Sequence, residues 1–145
     1  MTDSSYKAHG GRLLNLLVSD ERARDLKDLA LTLPDIALND RQLCDLEMLT
    51  IGGFSPLSGF MSKGDYESVL DRMRLENKVL WPVPVCLDVS ESLASKLKTG
   101  ESLALRDPEG FLLAILHVRD IWPVDREREA RQVFETTDVH HPGVW

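Results

Sequence analysis

The segment Gly52-Gly53-Phe54-Ser55-Pro56-Leu57-Ser58-Gly59-Phe60 is where this sequence comes nearest to a phosphate-binding loop. A Walker loop sets four residues between its glycines and then Gly-Lys-Ser/Thr, so that backbone amides and the lysine reach the phosphates. Here five residues separate Gly53 from Gly59, and Phe60 stands where the lysine belongs. A dinucleotide fingerprint must join a strand to a helix, whereas the patterns on either side of this loop are both helical. A structural turn is expected instead, with Phe54, Leu57 and Phe60 packed inward. Ser55 and Ser58 lack the Gly-x-Ser-x-Gly setting of a nucleophile elbow.

Four histidines offer base or ligand chemistry: His9, His117, His140 and His141. His117 lies between Leu116 and Val118 in an alternating stretch, which describes a satisfied sheet histidine. His140 and His141 are adjacent, so their side chains diverge, and no further Cys or His stands at ligand spacing. Cys44 is near a helix N-terminus, where a dipole can lower a thiol pKa. It shares an apolar helix with Leu43 and Leu46, however, so a buried cysteine acting as a small hydrophobe is expected. Cys86 is read in the same way. Asp45 and Glu47 belong to a charged helix and need no acid–base role. The run Asp125-Arg126-Glu127-Arg128-Glu129-Ala130-Arg131 alternates sign, with Glu127 and Arg131 in the favourable i,i+4 order. That is a solvated helix face, since acids interrupt every pair of bases. The residues by themselves therefore supply no catalytic, cofactor-binding or metal site.

The elements that must carry these residues change character along the chain. Glu21 to Leu33 has Leu26, Leu29 and Leu33 at helical spacing and is stopped by Pro34. Asn39 with Gln42 predicts a capping box for a helix bearing Leu43, Leu46, Met48 and Leu49. Gly52-Gly53 ends it, glycine entering the left-handed region without steric cost. Ser62 with Asp65 starts another helix that buries Tyr66, Val69, Leu70 and Met73. From Val79 the period becomes two: Val79, Trp81, Val83, Val85, Leu87 and Val89 share one strand face. Pro82 and Pro84 make that strand an edge or a bulge. Ser90 to Leu97 reads as a short helix, with a turn at Thr99-Gly100. Ser102 to Arg106 and Phe111 to Trp122 form a hairpin across Asp107-Pro108-Glu109-Gly110. Asp125 caps a last helix reaching about Phe134. Helices followed by strands imply an α+β domain with a small mixed or antiparallel sheet, or a closed barrel.

Composition narrows the function classes. A chain of 145 residues, 43% hydrophobic and 28% charged, suits one soluble globular domain, residues 1–145. Seventeen basic against 24 acidic residues leave a net charge of -7, which argues against nucleic-acid or anionic-membrane partners. No run of about 18 apolar residues suits a membrane helix. Two cysteines and a start without a secretory signal imply a reduced, cytoplasmic protein. The end, His140-His141-Pro142-Gly143-Val144-Trp145, fits a natural C-terminus or a cut before the next element.

The run from Leu38 to Glu47, followed by Gly52-Gly53-Phe54-Ser55-Pro56-Leu57-Ser58-Gly59-Phe60-Met61, closely resembles the N-terminal domain of ATP sulfurylase (sulfate adenylyltransferase). The likeness continues through Tyr66, the stretch Leu80 to Val89 and the hairpin from Leu103 to Val118. It closes with Glu129-Ala130, Val133-Phe134, Thr137 and His141-Pro142-Gly143-Val144, and His9-Gly10-Gly11 matches the family's opening. Such a collinear series is far more specific than any one motif.

The resemblance implies a PUA-like fold: a small mixed β-barrel with flanking helices, followed in the family by a separate nucleotide-binding catalytic domain. The family's enzyme joins ATP, with magnesium, and sulfate into adenosine 5′-phosphosulfate and pyrophosphate. Its catalytic motifs, Gln-x-Arg-Asn-Pro and Gly-Arg-Asp, belong to that next domain, and neither Arg-Asn-Pro nor Gly-Arg-Asp occurs here. No catalytic residue is carried over, His141-Pro142 included, and the isolated chain is expected to be inactive. Its implied partners are the downstream catalytic domain and other copies of a homo-oligomeric parent. A stand-alone interaction domain or an RNA-binding module is the alternative, the latter opposed by the acidic balance.

Overall fold

The structure is a computed structural model that describes residues 7–144. In chain order its elements are α1 (Asp20–Ala30), β1 (Asp35–Ala37), α2 (Asp40–Thr50), α3 (Lys63–Arg72), α4 (Glu91–Ala94), β2 (Ser102–Arg106), β3 (Leu112–His117) and α5 (Arg126–Phe134). A short 3-10 turn at His9–Gly11 precedes them. Backbone contacts divide the chain into two compact units. One holds Met1–Phe60 and Val89–Arg119, the other Met61–Asp88 and Asp120–Trp145.

In the first unit, helix starts follow the polar residues that precede them. Ser19 Oγ accepts the Arg22 N–H and opens α1. The helix ends at Ala30, ahead of the expected Leu33, because Leu31, Thr32 and Leu33 turn to i−3 carbonyls. Leu29, expected inside, is 42% exposed, and Ala30 is buried instead. At α2 the capping box is complete: Asn39 Oδ1 accepts the Gln42 N–H and Gln42 Oε1 accepts the Asn39 N–H, each at 3.0 Å. Each satisfies a donor that a helix start leaves orphaned. Gln42, Leu46 and Leu49 form the buried line of α2.

The sheet is mixed, in the order β1-β2-β3. β1 runs parallel to β2, with Ile36 opposite Leu105, and β3 runs antiparallel, with Ala104 opposite Ile115. β2 is buried on both faces at Leu103, Ala104 and Leu105, and α1 packs against β3. The turn between β2 and β3 forms as its residues predict: the Gly110 N–H bonds the Asp107 carbonyl and the Phe111 N–H bonds Asp107 Oδ1. A shift in register after Leu105 leaves Leu113 as the extra residue of a bulge. The α+β class and mixed sheet hold. The barrel does not close among the described residues, because β1 and β3 are the two edges of an open three-stranded sheet.

The second unit is built on α3 and α5, which pack together. Ser62 Oγ accepts the Asp65 N–H, and the Asp65 carboxylate turns outward to accept the Glu76 N–H at 2.9 Å. Tyr66, Val69 and Leu70 are buried as expected. Met73 is not: the chain leaves the helix there in a left-handed conformation, and Met73 is exposed. The expected strand from Val79 to Val89 reduces to one bridge, Arg74 with Leu80. Pro82 and Pro84 have no N–H to give a ladder. Trp81 and Val85 are buried, but Val83 is exposed, which breaks the alternation. β3 likewise stops at His117 short of the expected Trp122; further along, Asp120 Oδ2 accepts the Lys63 N–H at the start of α3.

Candidate functional site

The glycine loop is a turn with one of its two serines, Ser55, committed inward. Ser55 is buried. Its Oγ accepts the Leu14 N–H at 2.9 Å and donates to the Gly52 carbonyl at 2.7 Å, so this hydroxyl serves the backbone rather than a substrate. Gly52 has φ 85, and a Cβ there would lie 2.6 Å from the Leu14 carbonyl oxygen. Leu57 is buried, Phe54 and Phe60 are half-buried, and Ser58 faces solvent.

The histidines are scattered. His117, the last residue of β3, pairs across the hairpin with Ser102, Nδ1 to Oγ at 2.9 Å, on an exposed surface. His141 stacks at 5.1 Å on Phe134, while His140 is exposed in the adjoining turn. His9 lies in the 3-10 turn. Among the described residues no group of three or more His, Cys, Asp and Glu is placed to hold a metal ion. Cys44 is exposed, contrary to expectation. It stands two positions from both Gln42 and Leu46, about 200° around the helix from that buried line. Cys86 is half-buried.

A set of interacting polar side chains joins α3 to α5, and much of it was invisible in the sequence. Arg128 bridges two carboxylates, Nη1 to Glu67 at 2.7 Å and Nη2 to Asp71 at 3.0 Å. One residue on, Glu129 Oε2 accepts the Tyr66 hydroxyl at 2.8 Å. The Tyr66 ring also meets Trp122 at 5.5 Å. Burial, then the Glu129 carboxylate, raises the Tyr66 hydroxyl above the ordinary tyrosine range, so it remains a donor. The bonds to Glu67 and Asp71 raise Arg128 further. Arg131 pairs with Glu127 on the same helix, as its spacing predicts. An open depression of about 430 Å³ on α5 is lined by Asp125, Glu127, Arg128, Arg131 and Gln132. Its charged walls are largely paired already. This set clamps two helices together; it presents no nucleophile with a base.

The family model of the PUA-like domain matches residues 6–145. The chain belongs to the PUA-like domain family. Proteins called sulfate adenylyltransferase share this PUA-like segment, as the resemblance implied. One from Synechococcus sp. (strain JA-3-3Ab) is 48% identical over 136 residues, covering 94% of this chain and 35% of that protein. One from Mycosarcoma maydis is 49% identical over 140 residues, covering 94% and 24%. The PUA-like segment also matches a probable bifunctional SAT/APS kinase of Sorangium cellulosum at 43% identity, again over 94% of this chain. Among solved structures, the hexameric APS kinase from Thiobacillus denitrificans superposes with a TM-score of 0.74 at 39% identity. That match covers 82% of this chain and 24% of the other. The chain thus spans about a third or less of the relatives it matches. None of its described helices is long and apolar enough to cross a membrane.

Proposed function

We propose that this chain is the non-catalytic N-terminal domain of a sulfate adenylyltransferase. One observation carries the reading: 94% of the chain aligns at 48% identity with a protein of that name, yet accounts for only 35% of it. The hydrogen bonding supports it, because Ser55 of the glycine loop and the Tyr66–Glu129 and Arg128 contacts of the α3–α5 clamp are spent on structure. The catalytic motifs expected of the family, Arg-Asn-Pro and Gly-Arg-Asp, are absent from the sequence.

In the parent enzyme a sulfate oxygen attacks the α-phosphorus of ATP. A P–O bond to sulfate forms as the bond to the β-phosphate breaks, and pyrophosphate leaves with the electron pair. Basic groups facing the α-phosphate would stabilise the developing charge, and they belong to the remainder of the parent. Magnesium belongs there too, with the nucleotide. Among the described residues no group of three or more His, Cys, Asp and Glu comes together. The parent works in the cytoplasm, in sulfate assimilation, as a homo-oligomer. Sulfate-dependent pyrophosphate release from ATP is the test. The longer protein containing this segment turns over, and the 145-residue chain alone does not; turnover by the chain alone overturns the reading.

A further inference from the structure

Beyond α5 the chain returns to the end of that helix. It leaves α5 at Glu135 in a left-handed conformation, and the His141 N–H then bonds the Asp138 carbonyl at 2.9 Å, closing a turn. Two residues of this return touch one ring. His141 stacks on Phe134 with ring centroids 5.1 Å apart, and a Cβ on Gly143 would lie 2.5 Å from Phe134 Cζ. Gly143 thus lies against the phenyl ring where a side chain has no room. One bond ties these two residues together: the Gly143 N–H donates to His141 Nδ1 at 3.2 Å. Among the described residues the His141 ring makes no other hydrogen bond.

We infer that His141 is a clasp operated by protonation, holding Gly143 on Phe134 while its imidazole is neutral and releasing it once the ring is charged. The direction of the hydrogen bond is the reason. An amide N–H needs a lone pair opposite it, so the neutral ring carries its hydrogen on Nε2 and leaves Nδ1 bare. Imidazolium has an N–H on both nitrogens, and Nδ1–H then points at the Gly143 N–H. Attraction becomes donor against donor. The stack on Phe134 does not oppose the release, since a cation is drawn to an aromatic face; the ring stays and Gly143 leaves. Neighbouring charges do not take over the bond. The ring meets α5 through Phe134, and Arg131, in the last turn of that helix, pairs with Glu127. On the return itself, Asp138 Oδ1 accepts the His140 N–H at 2.9 Å, while Glu135 stands at the cap of α5. Imidazole is the side chain that changes charge between about pH 5 and 8, so the course of the backbone from Gly143 onward responds to pH there.

Nitrogen-15 NMR of the 145-residue chain, from about pH 8 to about pH 5, tests this. Solvent exchange of the Gly143 amide, divided by its intrinsic rate at each pH, is slowed several-fold at the upper end and not at the lower. The loss has the same midpoint as the titration of the His141 ring nitrogens, followed in the same samples. His141→Asn sets a carbonyl oxygen near the place of Nδ1 and cannot titrate, so protection of Gly143 persists at both ends of the range. His140→Asn removes the neighbouring imidazole and leaves the pH response in place. Protection in the wild type that ignores the His141 titration overturns the inference. So does a response that survives His141→Asn, or one that disappears in His140→Asn.

Discussion

The Tyr66 hydroxyl donates to Glu129 Oε2 at 2.8 Å, tying α3 to α5 across 63 positions of sequence. Tyr66 is 3% exposed, so the bond is made away from competing water, and its acceptor is charged. Tyr66→Phe should cost about 1.5–3 kcal/mol, the range for hydrogen bonds to charged groups, read by urea denaturation. A midpoint equal to wild type contradicts the clamp.

The same bond sets a pH dependence. Tyr66 has its pKa raised in the folded state by burial and by Glu129, so the unfolded chain loses that proton first. Its contribution is complete below about pH 10, the ordinary tyrosine value, and is lost as pH rises toward the folded-state pKa. Stability should therefore decline above that pH in the wild type and less steeply in Tyr66→Phe. Parallel slopes in the two proteins contradict this.

Arg128 holds Glu67 and Asp71 together, but all three side chains are more than a third exposed. Arg128→Ala should cost no more than about 1–2 kcal/mol for two such pairs. The loss should shrink in about 1 M salt, where screening acts over a few ångströms. A penalty that does not respond to salt would point to lost packing of the arginine stem.

Gly52→Ala should destabilise the first unit by about 1–3 kcal/mol, through left-handed strain and the close approach of the Leu14 carbonyl. Leu31→Ala, at an 81% exposed position, should stay within about 0.5 kcal/mol. Thermal melts of both variants check the contrast; equal effects contradict the close packing of the glycine loop on the segment before α1.

What was legible was local. Asn39 with Gln42, Ser62, Asp125 and the Asp107–Gly110 turn each act within four residues of sequence, so residue type and spacing were enough. β1 escaped notice because its three residues become a strand only by pairing with β2, far along the chain. The alternation from Val79 to Val89 promised a ladder that Pro82 and Pro84 deny. Cys44 was misplaced by counting apolar neighbours rather than following the helical phase set by Gln42, Leu46 and Leu49. The Tyr66–Glu129 bond and the Arg128 bridge depend on how α3 meets α5, which no local pattern encodes. The alternating charges of α5 did predict a charged face, though not that Arg128 would spend its charge on another helix.

Sulfate-dependent release of pyrophosphate from ATP, measured on the 145-residue chain beside the longer protein that contains it, tests the central claim most directly. The claim predicts turnover by the longer protein and none above background by the chain. Turnover by the chain alone, or a longer protein inert toward ATP and sulfate, would contradict it.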